Sequence, residues 1–284
     1  MCVKLLNIEN ISKENIEDIF KICSWNRAFA PIDNPILEKG RELKRRWLLE
    51  MLERYGPCMK IAYFDDKPVA QVLYYPEEAM PFLHNPRKDV VNMKCVYNSQ
   101  PEARRKGAGT ALMKALVDEG YSGLECLGGR PCRFVVTIPF PHEGELPLNE
   151  FFSKYGFKWG ARGRGFKWGH QEMYLKIEGK YTPRDIPEYY PLPEDRGKII
   201  LLYNPNCEWG YFFAMNAGGL LQGAYPDVPI EIYNNWERPE EYKKRPHLPL
   251  IAGSIIANAQ VVYPYDFWTD QQVFLQKVGE TMRQ

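Results

Sequence analysis

The stretch ARRKGAGTALMKAL, residues 103–116, contains the densest local signal of the chain. Basic residues lead into Gly107-Ala108-Gly109, and a helical pattern of apolar residues follows. Glycines let consecutive backbone N–H groups converge, and a helix N-terminus adds unpaired N–H groups and a positive dipole end. The stretch therefore predicts a site for an anion such as pyrophosphate. A basic turn that packs a strand against a helix is the alternative.

Two common nucleotide-binding motifs do not fit this stretch. A Rossmann fingerprint needs one more glycine at a different spacing, and a P-loop needs Lys-Ser/Thr directly after its last glycine, where this chain has Thr110-Ala111. The chain has 37 basic and 36 acidic residues, a net charge of +1. Such a balance gives no global reason to bind nucleic acid or an acidic membrane, so we expect neither as a partner.

The cysteines favour a reducing environment. The seven cysteines are scattered, no CxxC pair occurs, and no Cys/His spacing matches a zinc site, so we expect no metal. Lys4 and Glu9 interrupt any N-terminal signal pattern, and no apolar run reaches the length of a membrane span. A cytoplasmic location is the expectation.

Hydrophobic periodicity predicts alternating strands and helices in the first 177 residues. The predicted order is β α α β β β α β α β β, which indicates an α/β or α+β layered domain. The predicted strands are 2–8, 59–76 (two strands of a hairpin), 89–97, 132–138, 157–162 and 171–177, and the predicted helices are 12–23, 37–56, about 110–120 and 148–157.

A change of composition divides the chain. Residues 179–198 include four prolines and many charges, which is typical of a linker. We expect a domain at 1–178, a proline-rich linker at 179–197 and a small α/β domain at 198–284, where the pattern β α β … β β α restarts.

The segment PEARRKGAGTAL resembles motif A of the GNAT acetyltransferase superfamily, in which Arg/Gln-x-x-Gly-x-Gly/Ala follows a strand and opens a helix. Arg104, Gly107 and Gly109 match its three positions. The element order of residues 1–177 and the later FFSKYGFKWG, similar to the family's FYEKLGFK, extend the resemblance. It implies a mixed, mostly antiparallel sheet flanked by helices.

The resemblance also implies acetyl-CoA as cofactor and direct transfer of its acetyl group to an amine of a small molecule or peptide. Backbone amides around the glycines would hold the pyrophosphate, and the end of the fourth strand would splay from the fifth and pair with the pantetheine arm. The residues so implied are Val96, Tyr97, Arg104, Arg105, Lys106, Gly107, Ala108, Gly109 and Thr110.

The sequence offers several candidates for the catalytic groups. Many family members protonate the leaving thiolate with a tyrosine at the position where this chain has Phe152. Water, Cys95, Tyr97 and Tyr155 are the candidate replacements, although Tyr155 also fits an apolar position, and departure of the thiolate without protonation is the other alternative. Glu77 and Glu78 follow the third strand, where they are candidate general bases or solvent-facing residues, and His142 is a further candidate. A CoA-binding sensor or adaptor with little turnover is therefore the alternative function.

The second domain resembles the thioredoxin fold. Cys207 stands between a predicted strand and helix, where a thiol is activated by the helix dipole, and Pro249 matches the fold's proline before its third strand. Gly210 stands where the second redox cysteine would be, which excludes an intramolecular disulfide. The combination of domains is similar to the YoaP-like group. A monothiol partner-binding module at Cys207 is a further alternative, set against a small apolar residue packed under a helix.

Overall fold

The structure is a computed structural model that describes residues 6–23, 33–98, 100, 103–139, 147–160, 171–185, 189–245, 253–262 and 265–284. These residues form two compact units. The first comprises the described residues up to 185, except 33–44 and 81–84, and the second comprises those two segments and the described residues from 189 onward. None of the described helices is long and apolar enough to cross a membrane.

The first unit is built on a seven-stranded sheet of order β1-β2-β3-β4-β5-β7-β6. Its strands are β1 (Leu6–Asn10), β2 (Met59–Phe64), β3 (Lys67–Pro76), β4 (Val90–Asn98), β5 (Phe134–Thr137), β6 (Lys158–Trp159) and β7 (Met173–Lys176). Its helices are α1 (Asp18–Cys23), the later part of α2 (Pro35–Tyr55), α3 (Ala108–Ser122) and α4 (Leu148–Ser153). Among these strands, β4 and β5 form the one parallel pair.

The apolar pattern explains this arrangement. Helix α3 buries Leu112, Met113 and Leu116 against alternate residues of the central strands, such as Val72 and Val91. Strands β2 and β3 are buried over nearly their whole length, as expected for central strands covered on both faces. The element order predicted from the sequence and the mixed sheet flanked by helices are both confirmed.

The start of the first helix is corrected by the structure. Residues 13–17 form turns, and the helix begins at Asp18 rather than at residue 12. The Ser12 hydroxyl accepts a hydrogen bond from the N–H of Glu14, and the Asn15 side chain accepts one from the N–H of Ser12. These hydrogen bonds stabilise a turn rather than the start of a helix, because Ser and Asn side chains compete with the helical hydrogen bonds for backbone N–H groups.

The second unit contains a four-stranded sheet of order β11-β10-β8-β9. Its elements in chain order are β8 (Ile199–Tyr203), α5 (Glu208–Ala224), β9 (Ile230–Asn234), α6 (Pro239–Lys243), β10 (Gly253–Ala257), β11 (Gln260–Val262), α7 (Tyr265–Thr269) and α8 (Gln271–Met282). Strands β8 and β9 are parallel, while β10 runs antiparallel to both β8 and β11. Pro249, which matches the proline before the third strand of the thioredoxin fold, lies outside the described residues.

The first part of α2 packs closely on α5 within the second unit. The Lys44 ammonium lies 2.9 Å from the Glu208 carboxylate, and both side chains are almost completely buried. One turn earlier, a Cβ added to Gly40 would lie 2.6 Å from the carbonyl oxygen of Glu208. Glycine at this position therefore permits the close approach of the two helices that the buried ion pair requires.

A buried ion-pair cluster joins four segments of the first unit. Glu77, in a short 3₁₀ turn after β3, accepts hydrogen bonds from Arg87 and Arg184. Arg87 also donates two hydrogen bonds of 2.8 Å to Glu172, which accepts a third from the Tyr181 hydroxyl. Arg184 lies within 179–197, the predicted linker, so this part of the linker belongs to the core of the first unit.

The cluster argues against Glu77 as a general base. Its carboxylate is fully buried. Burial alone would raise the pKa of Glu77, but the charge of Arg184 and the hydrogen bonds and charge of Arg87 outweigh it and lower that pKa to about 2. A carboxylate so stabilised is a poor proton acceptor at neutral pH, and Glu77 takes a structural role instead.

We predict opposite effects for two glycine substitutions in the second unit. Gly40→Ala should lower the free energy of unfolding by about 1–3 kcal/mol, because the new Cβ meets the Glu208 backbone. Gly219→Ala, in the exposed face of α5 with no atom within 4 Å of the new Cβ, should raise it by up to about 1 kcal/mol through helix propensity. Chemical denaturation measures both changes, and stabilisation by both variants would contradict the close approach.

We predict a pH-dependent loss of stability for Glu77→Gln. A pKa lowered from 4.5 to about 2 stabilises the fold by about 3 kcal/mol above pH 4.5, and this contribution is lost as the pH falls through 2. The difference in unfolding free energy between wild type and variant should therefore be largest near pH 7 and shrink below pH 4.5. Glu78→Gln, at the exposed neighbouring residue, is the control and should change the unfolding free energy much less.

Candidate functional site

The loop before α3 forms an exposed backbone concavity. Arg105 and Gly107 adopt left-handed conformations, with φ of +57° and +88°. Gly107 directly precedes the helix, so a left-handed residue is followed by right-handed ones, and such an alternation turns successive N–H groups toward a common point. No side chain caps the N-terminus of α3. The first-turn N–H groups of the helix are therefore available to a bound anion.

The glycines of this loop have different roles. No described atom lies within 4 Å of a Cβ built on Gly107, so the space in front of the loop is open, and the positive φ is what requires glycine. A Cβ on Gly109 would lie 3.5 Å from the ring of Phe151 on α4. Ala108 is buried, whereas the side chains expected to add charge or contact the ligand are exposed: Arg104, Arg105, Lys106 and Thr110.

Strands β4 and β5 pair over only three residues. Val90, Val91 and Asn92 lie opposite Phe134, Val135 and Val136, and the pairing of the described strands ends there. Of the remaining six residues of β4, 93–98, five pair with β3 alone, and a shift of register skips the sixth, Lys94. Because β5 ends at Thr137, the N–H and C=O groups on the other edge of this stretch have no strand partner among the described residues. This open edge is about 20 Å long and leads toward the loop before α3.

The two faces of the open edge are chemically different. Val96 packs in the cluster that includes Leu112 and Leu116 of α3. Side chains alternate along a strand, so Tyr97 points to the opposite face, where its cross-strand neighbour is Gln71. Gln71 is 2% exposed and donates to the Cys23 sulfur, but its side-chain oxygen has no partner among the described residues. A buried amide oxygen without a donor is a potential site for a ligand N–H group.

A β-bulge places Lys94 on the same face as Tyr97. The register of β3 with β4 shifts so that Leu73 pairs with Cys95 and Tyr74 with Met93, which leaves Lys94 as the extra residue. Its ammonium lies 6.0 Å from the centre of the Tyr75 ring. Burial and then the charge of Arg184 lower the pKa of Lys94 to about 7, against the smaller opposing effects of Glu77 and Glu172.

The aromatic residues of α4 lie on the other face. Phe152 is buried beside Phe157 in the cluster formed with α3, and it has no hydroxyl group. The partly buried Tyr155 packs its ring edge-on against Phe151, with centres 5.3 Å apart. Packing of this kind agrees with an apolar role for Tyr155. The structure therefore does not bring Tyr97 and Tyr155 together, and His142 lies outside the described residues.

Cys207 lies at the N-cap of α5, as expected, but is not activated there. Burial raises the pKa of its thiol, and the neighbouring Glu208 carboxylate raises it further. These effects outweigh the helix N-terminus and the charge of Lys44, so the expected lowering is wrong. The interpretation of Cys207 as a small packed residue fits this environment better than an activated thiolate.

Gln71 and Lys94 were not predicted as site residues from the sequence. The available signal was a lysine inside VVNMKCVYN, an otherwise mostly apolar strand. The bulge at Lys94 becomes visible only when β4 is paired with β3, because it is defined by the shift of register between these two strands. Nothing in the sequence distinguished Gln71, because its interest lies in a side-chain oxygen that has no hydrogen-bond donor among the described residues.

Comparison with known proteins identifies structures but no sequence family. No family model and no curated protein matches the chain. Similar solved structures include a GNAT family acetyltransferase from Brucella melitensis in complex with acetyl-CoA, with 15% identity over 64% of this chain and 94% of that chain and a TM-score of 0.41. Another is the PaiA N-acetyltransferase from Thermoplasma acidophilum in complex with coenzyme A, at 16% identity, 61% and 99% coverage and a TM-score of 0.39.

A third similar structure is the ribosomal-protein-S18-alanine N-acetyltransferase from Escherichia coli, with 15% identity. It covers 62% of this chain and 97% of that chain, with a TM-score of 0.39. The structures named here are thus acetyltransferases, and two of them hold acetyl-CoA or coenzyme A.

Proposed function

We propose that the first unit binds acetyl-CoA and transfers its acetyl group to an amine. The observation that supports this most directly is the open edge of β4, which leads to the uncapped, glycine-bearing N-terminus of α3. One part of this surface offers converging N–H groups to an anion, and the other offers a row of unpaired strand groups to an extended amide-containing arm.

The phosphate end of the cofactor would occupy the loop. The pyrophosphate would accept hydrogen bonds from the backbone N–H groups of residues 105–110 and gain from the positive end of the α3 dipole. Arg104, Arg105 and Lys106 would add positive charge at the exposed rim of the loop. The basic side chains and the glycine-bearing backbone would thus both bind the pyrophosphate.

The pantetheine arm would pair with β4 in the manner of an added strand. It contains two amide groups, which can exchange hydrogen bonds with the unpaired N–H and C=O groups of residues 93–98. With the pyrophosphate at the loop, the arm runs back along the strand toward Asn92, where β4 and β5 meet. The thioester would therefore lie near the point where the two strands separate.

Transfer at this position needs orientation, a polarised carbonyl and a route for protons. A neutral acceptor amine would attack the thioester carbonyl carbon, while a backbone N–H of β4 would stabilise the charge that develops on its oxygen. Tyr97 lies on this open stretch and is the remaining candidate among Tyr97, Tyr155 and Glu77 for protonating the thiolate. We propose that the acceptor, a small-molecule or peptide amine, approaches the face that contains Tyr97 and Gln71.

We also propose that the second unit is a thioredoxin-like domain without redox activity. The strand order β9-β8-β10-β11, with a helix between parallel β8 and β9, supports this assignment. Gly210 in place of a second cysteine and the raised pKa of Cys207 argue against thiol chemistry. Such a domain would bind a partner or contribute to acceptor selection.

We predict that acetyl-CoA stabilises the protein. At a hundredfold excess over Kd, binding adds about 2.7 kcal/mol to the unfolding free energy, which appears as a higher melting temperature. Gly107→Asp should abolish the shift, because a side chain is strained at a φ of +88° and a carboxylate repels the pyrophosphate. Differential scanning fluorimetry with millimolar acetyl-CoA measures this shift.

Gly129→Asp is the matched control. Gly129 has a similar φ of +77° and an equally open Cβ position in the same unit, but lies outside the loop. It should lose comparable intrinsic stability and keep the acetyl-CoA shift. Absence of a shift in the wild-type protein, or equal loss in both variants, would contradict the proposed site.

A second candidate function is a CoA-binding sensor with little turnover, which the buried Phe152 favours because it cannot donate a proton. The two functions differ in thiol release. A transferase should release CoA thiol in multiple turnovers with at least one member of a broad panel of amines and amino-terminal peptides. Tyr97→Phe should then lower kcat and leave the acetyl-CoA melting shift intact. A sensor would show the shift and no turnover with any amine.

A further inference from the structure

Lys94 combines features that are unusual for a lysine. It is the extra residue of the bulge in β4, two residues beyond the last residue that pairs with β5. It is partly buried, and no carboxylate among the described residues lies within ion-pair distance of its ammonium. Its described contact is the face of the Tyr75 ring, which holds the side chain on the face that contains Gln71, Cys95 and Tyr97.

The surrounding charges explain why this lysine lacks an ion-pair partner. The ionisable groups that act on it are Arg184, Glu77 and Glu172. Both carboxylates already bind guanidinium groups of Arg87 and Arg184, so neither is free to pair with a third cation. A cation–π contact at 6.0 Å compensates only part of the cost of a partly buried charge. The neutral amine is therefore well populated at this position.

A neutral amine at this point of the strand is close to where the proposed thioester would lie. Lys94 lies two residues beyond Asn92, the last residue of β4 that pairs with β5, and the bulge places its side chain on the sheet face that contains Tyr75 and Tyr97. A pKa lowered to about 7 makes the neutral Lys94 amine a substantial fraction at pH 7. For an ordinary lysine with a pKa near 10.4, the neutral fraction is roughly one in 2,500.

We propose that Lys94 is a self-acylation site: its amine accepts the acyl group of the acyl-CoA bound along β4. The inference rests on the proposed function, because it requires the thioester near the strand separation. The Nζ lone pair attacks the thioester carbonyl carbon, the new C–N bond forms and the C–S bond breaks. CoA leaves as a thiolate, and the proton that the nitrogen loses passes to this thiolate directly or through water. The reaction needs no other reactant.

The product limits the reaction to a single event per chain. The amide that forms is not an acyl donor, so Lys94 loses both its nucleophile and its capacity for positive charge. The acylated side chain stays on the face proposed for the acceptor amine and would obstruct it. Self-acylation would therefore inhibit transfer to the acceptor when the acyl-CoA concentration is high and the acceptor concentration is low.

The test uses the full chain, acetyl-CoA and no acceptor. We expect one equivalent of thiol per chain, an intact-mass increase of one acetyl group, and a modified peptide that contains Lys94. Lys94→Arg and Lys94→Gln should each abolish the mass increase and keep the acetyl-CoA melting shift. Lys114→Arg, at an exposed lysine of α3 that pairs with Asp118, should behave as the wild type. Gly107→Asp should lose both the shift and the modification.

The pH dependence provides a second measurement on the wild-type protein. The acylation rate should rise with pH through about 7 and level off above about 8, because the reactive form is the neutral amine. A tenfold rise per pH unit up to pH 10, or modification spread over exposed lysines, would overturn the proposal in favour of unassisted chemistry. A melting shift with no modification of Lys94 would overturn it and leave acetyl-CoA binding intact. Absence of the shift would contradict the proposed function itself.

Discussion

The separation of β4 from β5 is the constraint on which the proposed site depends. A sheet whose other described pairs are antiparallel contains one parallel pair, and that pair ends after three residues. Five of the next six residues of β4 stay paired with β3, and none of the six pairs with a described strand on the other edge. Unpaired N–H and C=O groups at a strand edge cost free energy when they are buried, and they pair readily with other chains when they are exposed. An edge of this length in the middle of a sheet is therefore suited to pairing with a bound partner.

The ion-pair cluster and the bulge both act close to this separation. Glu77, Arg87, Glu172 and Arg184 tie together the segments around the ends of β3, β4 and β7. The cluster occupies the two carboxylates that could otherwise neutralise Lys94, and the bulge presents that lysine on the sheet face opposite α3. An arrangement that stabilises the fold therefore also sets the chemistry of a residue at the proposed site. Glu77, expected as a base, is held in this cluster by Arg87 and Arg184, which lower the pKa of its carboxyl group.

Much of the first unit could be predicted from the sequence because its signals are local. Alternation and helical periodicity gave the order of the elements, and the turn glycines, together with the basic residues before them, located the loop before α3. The boundaries were less accurate where polar side chains form turns, as at Ser12 and Asn15. Cys207 shows the limit of a local rule: its place at a helix N-terminus was correct, but burial and Glu208 reversed the expected change in its pKa.

The sequence by itself determined the glycine loop, its basic residues, the strand before it and the helix after it, because each depends on neighbours a few positions away. Only the tertiary structure decided which groups surround this strand. Lys94 and Glu77 are 17 positions apart in the chain, and Arg184 is 90 positions beyond Lys94. Their mutual effects on protonation depend on distances through the folded core, since electrostatic coupling follows separation in space rather than in sequence.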